Sequence, residues 1–457
     1  MTGRRAVPSP EVLRQWDHQH LWHPFTPMQQ WTNEDPLVIV RGEGNELVDL
    51  AGRRYLDGVS SLWCNIHGHN RPELNEAIES QLNEVAHSTL LGLTHVPAAE
   101  LAKRLTDLTP VGLTRVFYSD NGATSVEVAI RMALQFWQLT GRPKKTKLAS
   151  LKDDYHGDTL GAVSVGYTET FHRFYRSILP ETLQLTPPHV WRWREWLSEA
   201  EALDRAVDEA QRVLSQHRDD LAAVVIEPVM QGAVGMWPQP RGYVRALREL
   251  TAEHDILLVC DEVATGFGRT GTMFACQGEE VSPDLICLAK GLTGGYLPLA
   301  ATLTTEHVYS AFLGPPAEGR TFYYGHTYTG NPLGCAVALA SLDLFDTDRV
   351  MAHLTGKVDR LTRVLADTIS PLQHVADVRQ RGLMVGIELA ADSATRTAYP
   401  AADRMGARVT DTARGHDVLV RPLGDVVVLM PPLSIRLDEL DRLVAAVHDA
   451  IVTVTEA

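Results

Sequence analysis

Cysteine is scarce in this sequence: Cys64, Cys260, Cys276, Cys287 and Cys335 are the only five in 457 residues. Their number is odd, none forms a Cys-x-x-Cys pair, and Cys260, Cys287 and Cys335 stand in apolar runs. This argues against a disulfide framework and for a reducing compartment. Positive charge is in deficit, with 42 Lys and Arg against 57 Asp and Glu and a formal net charge of −15. Nucleic acid and an anionic membrane are therefore poor partners, whereas a small molecule in a local cleft is unaffected. No apolar stretch reaches membrane-spanning length, and the basic N-terminus MTGRRAVPSPEVLRQW has no apolar core behind it, so neither a membrane helix nor a signal peptide is expected. The expectation is a cytoplasmic protein. Spaced metal ligands are also missing. His67-Gly68-His69 has no further ligands at metal spacing, and no metal is expected. Gly266-Phe267-Gly268-Arg269-Thr270-Gly271 lacks Walker spacing and has no lysine before the threonine, so Arg269 is expected to organise structure, not to bind nucleotide.

What is present describes an ordinary globular chain, with 44% hydrophobic and 22% charged residues. Its length suits one large core with a smaller satellite. Residues 1–74, rich in Pro, Gly, Trp and His, read as an irregular N-terminal segment with short strands such as LVIV (37–40), contributing to the small domain and the wall of a site. Residues 75–345 alternate between strand and helix patterns. RVFYSD (115–120) is a strand, and SVEVAIRMALQFWQ behind it carries Val126, Ile130, Ala133 and Trp137 at helical spacing. Helices are expected over 197–219 and 242–253. LAAVVIEP (221–228), ILLVCDE (256–262) and DLICLAK (284–290) are nearly all apolar, as strands covered on both faces must be. The fold class is α/β, with a mostly parallel sheet. Residues 346–457, with GLMVGIELA and VVVLMPP as strands, read as a smaller α+β domain.

In such sheets ligands bind beyond the carboxyl ends of the strands. Those ends carry Asp120-Asn121-Gly122-Ala123, Glu227, Asp261-Glu262 and Lys290. Any one of these taken alone reads as an ordinary solvated loop residue; a lysine and two acids at strand ends together read as a site. A lysine beside apolar strands loses proton affinity and becomes a nucleophile toward carbonyl carbon. An aspartate can keep a pyridine nitrogen protonated. The turn SDNGATS opens a helix, and Gly122 lets its free N–H groups approach a phosphate.

DEVATGFGRTG (261–271) and PDLICLAKGLTGGYLP (283–298), with the spacing they set between Asp261 and Lys290, resemble the signature of class III aminotransferases of fold type I. That resemblance implies pyridoxal 5'-phosphate as cofactor, a Schiff base at Lys290, Asp261 on the pyridine nitrogen, and Gly122 and Ala123 amides on the phosphate. It also implies a homodimer with a shared active site, Thr327 in GHTYTGNP reaching the phosphate of the second subunit. LWHPF (21–25), SSLWCNIHGH (60–69), YHGDTLGAVSVG (155–166), VVIEPVMQGAVGM (224–236) and LVRPLGDVVVLMPPL (419–433) are similar to the branch that aminates 8-amino-7-oxononanoate in biotin biosynthesis. By that likeness Tyr155 lies over the cofactor ring, Trp63 walls the substrate tunnel and Arg421 binds the substrate carboxylate. Phe25, Leu62, Gly325 and His326 stand at cofactor and substrate positions; Phe25, Leu62, Tyr324 and His326 depart from the members that use S-adenosylmethionine, as do Leu423 and Val428. These departures, with His326 and Asp425 as polar groups at the mouth, resemble the members that take the amine from lysine, and lysine is the expected donor over S-adenosylmethionine. Another class III ω-amino acid transaminase and an aminomutase stay open as alternatives.

Overall fold

The computed structural model describes residues 7–189 and 197–456. Its centre is a seven-stranded sheet in the order Leu113–Ser119, Ala300–Thr305, Leu285–Leu288, Leu257–Asp261, Leu221–Ile226, Lys147–Leu151, Leu183–Leu185. Ala300–Thr305 is antiparallel to both its neighbours, and the other pairs are parallel. The sheet is thus mixed and mostly parallel. The three all-apolar runs form its middle because successive side chains enter different cores. Val224, Ile226, Leu258 and Cys260 join the cluster that includes Leu214 and Leu247 from the helices Glu199–Gln216 and Tyr243–Glu253. Ala223, Val225, Leu257 and Val259 join the one built on the helix Gly122–Leu139. With both faces covered, no position in these strands can alternate to polar.

The helix expected over 197–219 runs Glu199–Gln216, capped by Ser198, whose hydroxyl accepts from the Glu201 amide. The one expected over 242–253 runs Tyr243–Glu253 and starts after Gly242, which has φ +93°. The N-terminal segment departs from the irregular expectation. Pro10–His20 is a helix, started by Ser9 as cap and proline in its first turn. LVIV contributes only its second half, since the strand is Ile39–Glu43, paired with Glu46–Asp49. The strand Arg54–Asp57 pairs in parallel with Val418–Leu419, so the two ends of the chain share one small sheet. A second small sheet, in the order Val375–Arg381, Met384–Leu389, Val426–Leu429, Arg421–Leu423, contains both strands expected beyond residue 346. The helices Pro72–Glu84 and Pro332–Thr347, which span the two positions where the composition changes, pack against each other.

No helix of the described residues is long and apolar enough to cross a membrane. Among the described residues no group of three or more His, Cys, Asp or Glu side chains is placed to hold a metal ion. Four of the five cysteines are buried and all are free thiols.

Candidate active site

The carboxyl ends of the parallel strands open on one cavity of about 790 Å³. Lys290, Asp261, Tyr155, Gly122 and Ala123 line it, and Leu62 and Trp63 close one side. Lys290 follows the strand Leu285–Leu288 and opens a tight turn with φ +43°, a left-handed conformation that a lysine adopts only under constraint. Its ammonium lies 4.9 Å from the centroid of the Trp63 ring, and no hydrogen bond among the described residues engages it. Burial pushes the Lys290 pKa below the usual lysine range, against the opposing pull of Asp261 and Glu227.

Asp261 ends the neighbouring strand. One of its oxygens accepts from the Val263 amide at 3.0 Å, and the other lies 2.7 Å from Nδ1 of His156. His156 is buried, with Nε2 3.5 Å from an Asp154 oxygen. Burial opposes its protonation, but the two carboxylates outweigh burial and hold its pKa near about 10. A buried imidazole held toward its protonated form therefore stands directly behind the Asp261 carboxylate. Glu227 accepts from the Tyr155 amide at 2.9 Å and the Gly232 amide at 3.1 Å. Burial, together with the charge of Asp154, raises its pKa to about 8. The Tyr155 hydroxyl donates to Asp158 at 2.7 Å, and burial plus that bond raises its pKa.

The helix Gly122–Leu139 points its first turn into the cavity, and Asn121 and Thr124 form a reciprocal cap that fixes this turn. Space there is tight. A Cβ on Gly157, which has φ +111°, would lie 2.3 Å from the Ala123 Cβ, and one on Gly122 would lie 2.6 Å from Val263. On the opposite wall Ser60, Ser61 and Trp63 all have positive φ. Asp57 holds that segment by accepting from the Ser61 amide at 2.9 Å and its hydroxyl at 3.0 Å, while the Ser60 hydroxyl donates to Met430 at 2.7 Å. Arg269 is fully buried and donates to the carbonyls of Asn65 and Pro431, so it ties the Trp63 segment to the end of the second small sheet.

The remaining expected positions lie away from the cavity wall. Phe25 is 62% exposed and meets Phe171 edge-on at 5.8 Å, a ring that in turn meets Tyr155 at 6.5 Å. Gly325 and Thr327 are exposed. His326 sits 2.6 Å from Asp120, which does line the cavity, and 3.1 Å from the Tyr324 hydroxyl. Arg421 begins an edge strand and is exposed as a residue, yet crowding by protein lowers its pKa. Two positions behind the lysine-donor reading are placed differently from that expectation. Val428 is wholly buried, in one core cluster with Met230, Met384 and Trp63, and does not itself line the cavity. Asp425 accepts from the Gly406 amide at 3.1 Å, at the start of the helix Met405–Gly415. His156 and Asp154 were missed from sequence. His156 follows Tyr155 in the YHGD run, but nothing local marks it as the partner of an aspartate 105 positions on.

A lysine whose burial disfavours its charged form, an aspartate backed by a histidine, an aromatic wall and a helix start share this cavity. They fit an aldehyde-bearing, phosphorylated pyridine: the amine for the aldehyde, the acid for the ring nitrogen, the glycine-lined turn for the phosphate.

Comparison with known proteins agrees. Residues 28–451 match the model of the aminotransferase class-III family. An adenosylmethionine-8-amino-7-oxononanoate aminotransferase from Geobacter sulfurreducens is 50% identical over 446 residues, 97% of this chain and 98% of that one. The crystal structure of the enzyme of that name from Methanocaldococcus jannaschii superposes with a TM-score of 0.93 at 43% identity, covering 98% of this chain and 100% of the other. A thermostable (S)-enantioselective omega-transaminase from Thermomicrobium roseum superposes with a TM-score of 0.93 at 35% identity, covering 98% and 100%. The chain belongs to the class III aminotransferases, pyridoxal-phosphate enzymes of fold type I.

Proposed function

We propose that this enzyme transfers an amino group to the keto carbon of 8-amino-7-oxononanoate, giving 7,8-diaminononanoate for biotin synthesis in the cytoplasm. The observation that carries the chemistry is the half-buried Lys290 amine, which no hydrogen bond among the described residues engages, in one cavity with the His156-backed Asp261. The substrate reading rests on the shared name of relatives that match nearly end to end. Pyridoxal phosphate, when bound, supplies the electron sink. Lys290, whose burial disfavours its charged form, would hold the cofactor through its amine and would move a proton at Nζ. Asp261, positioned by its 2.7 Å contact with His156, would pair with the pyridine nitrogen. Tyr155 covers the ring face, and the amides of Gly122 and Ala123 take the phosphate. Trp63 and Leu62 exclude water on the substrate side, and Arg421 meets the distal end of the keto substrate.

For the donor we infer S-adenosylmethionine. The relatives carry adenosylmethionine in their names, and of the positions behind the lysine reading Val428 and Asp425 stand off the cavity lining, whereas Leu62 is part of it. We also propose a homodimer with a shared active site, in which Thr327 reaches the partner's cofactor phosphate and Gly325 lines the substrate path. Exposed Leu91, Leu93, Tyr323 and Tyr328 support it, since such side chains cost solubility unless covered. The division into 1–74, 75–345 and 346–457 is retained as a functional one, the pairing of Arg54–Asp57 with Val418–Leu419 supporting a small domain built from both chain ends. The test is to supply purified enzyme with 8-amino-7-oxononanoate and either donor, and to follow 7,8-diaminononanoate. Turnover with S-adenosylmethionine and little with lysine is expected. Rapid turnover of simple ω-amines, with none of the oxononanoate, would favour the omega-transaminase reading that the Thermomicrobium likeness also supports.

A further inference from the structure

A second cavity, of about 520 Å³, lies behind the glycine-rich loop, away from Lys290. Thr270 and Gly271 form its floor, Arg381 and Gly382 of the hairpin between two small-sheet strands form one wall, and Arg241 and Ser370 face them. Two arginines share this space and no carboxylate lines it. Among the described residues the Arg381 guanidinium makes one hydrogen bond, to the Gln239 carbonyl at 2.8 Å, and its Nε is buried with no partner. The Thr270 hydroxyl is likewise buried and unpartnered. Among the described residues neither a hydrogen bond nor an ion pair engages the Arg241 guanidinium or the Ser370 hydroxyl. Burial lowers the pKa of Arg381, and the charge of Arg241 lowers it further, while Glu199 and Glu279 oppose from farther off. Glu279 is itself committed to the Gly242 amide at 2.6 Å.

Buried donors without acceptors are rare because each forfeits its hydration. Two like charges held together beside two such donors form a site short of an anion. We propose that this cavity is a second ligand site, for a phosphate-type oxyanion on a small molecule, separate from the cofactor site. A doubly charged tetrahedral anion matches it better than a carboxylate, because it can meet both guanidinia and accept from the Thr270 and Ser370 hydroxyls together. The wall beside it is conformationally unusual: the helix Val350–Val364 continues into a single π turn, Leu365–Ile369, and Leu365, Ala366 and Ser370 of this region line the cavity. Such turns recur where a helix is adapted to a function. The site also touches the active-site scaffold. The Leu383 amide donates to the Arg269 carbonyl at 3.0 Å, and Arg269 holds the Trp63 segment through Asn65. An anion bridging Arg381 to the Thr270 loop reinforces that connection.

The test uses the enzyme loaded with cofactor, so that the cofactor's own phosphate pocket is filled. Inorganic phosphate and succinate are titrated by calorimetry at constant ionic strength, into the wild type and the exposed-position variants Arg241→Ala and Arg241→Glu. Arg241 lies outside the catalytic cavity, so transaminase turnover without added anion is expected to be unchanged and reports folding. The expected result is saturable phosphate binding, tighter than succinate, weakened roughly 10-fold in Arg241→Ala and abolished in Arg241→Glu. No saturable binding of phosphate by the wild type, tighter binding of succinate, or phosphate affinity equal in all three proteins would overturn the proposal.

Discussion

Lys290 combines a strained backbone, an apolar surround and a free amine, three conditions that a merely structural lysine has no reason to meet together. Lys290→Ala is expected to fold normally and to lose turnover by on the order of 10³-fold or more, since nucleophile and proton carrier vanish together; a single-turnover assay measures this. Arg421→Ala should weaken the keto substrate by about 2 kcal/mol, the scale of a charge-assisted hydrogen bond, and spare the half-reaction with the donor. Equal loss in both half-reactions, followed separately by absorbance, would make it a structural arginine. His67 gives a pH prediction. Burial lowers its pKa to about 3, and its ring meets the Ser341 hydroxyl at 3.1 Å. Because the folded value lies below the unfolded one, the unfolded chain binds the extra proton on acidification. Stability contributed by neutral His67 is therefore whole above about pH 6.5 and is lost as pH falls toward 3. His67→Asn should flatten the acid limb of a urea-denaturation pH series, by at most about 1.4 kcal/mol per pH unit.

At the scale of elements, the site depends on how a helix begins. The reciprocal cap of Asn121 and Thr124 holds the first turn of Gly122–Leu139, and Gly157 lets the 155–159 loop lie against it. Gly157→Ala must displace one of the two, because its methyl would lie 2.3 Å from the Ala123 Cβ and its φ is +111°. The expected outcome is a loss of cofactor affinity far larger than the loss of stability, measured by cofactor titration alongside thermal unfolding. Much of this element scale was open to sequence reading. All-apolar runs announced the central strands, and the strand-end rule placed Lys290, Asp261 and Gly122 in one crevice. The helix Pro10–His20 also carried its signal, Ser9-Pro10, but the surrounding Trp, His and Pro obscured it.

At the scale of the molecule, exposed Leu91, Leu93, Tyr323 and Tyr328 form the case for a second subunit. The enzyme is expected to sediment as a dimer, and Leu91→Asp with Tyr323→Asp should shift it toward monomer and lower activity in parallel. A monomer that retains full activity would refute the shared site. The sequence by itself determined the fold class and the family and singled out Lys290 and Asp261, because local patterns carry those: burial on two faces, strand ends, and a signature that spans two adjacent strands. Only the tertiary structure decided what stands behind them. His156 reaches Asp261 across 105 positions because their strands are brought together by the sheet, and Arg381 meets Arg241 because a hairpin from one end of the chain packs on a loop from its middle. It also placed Val428 out of the cavity lining and in one core cluster with Trp63, since which face of a strand is covered is set by the element that packs on it and not by the strand's own residues.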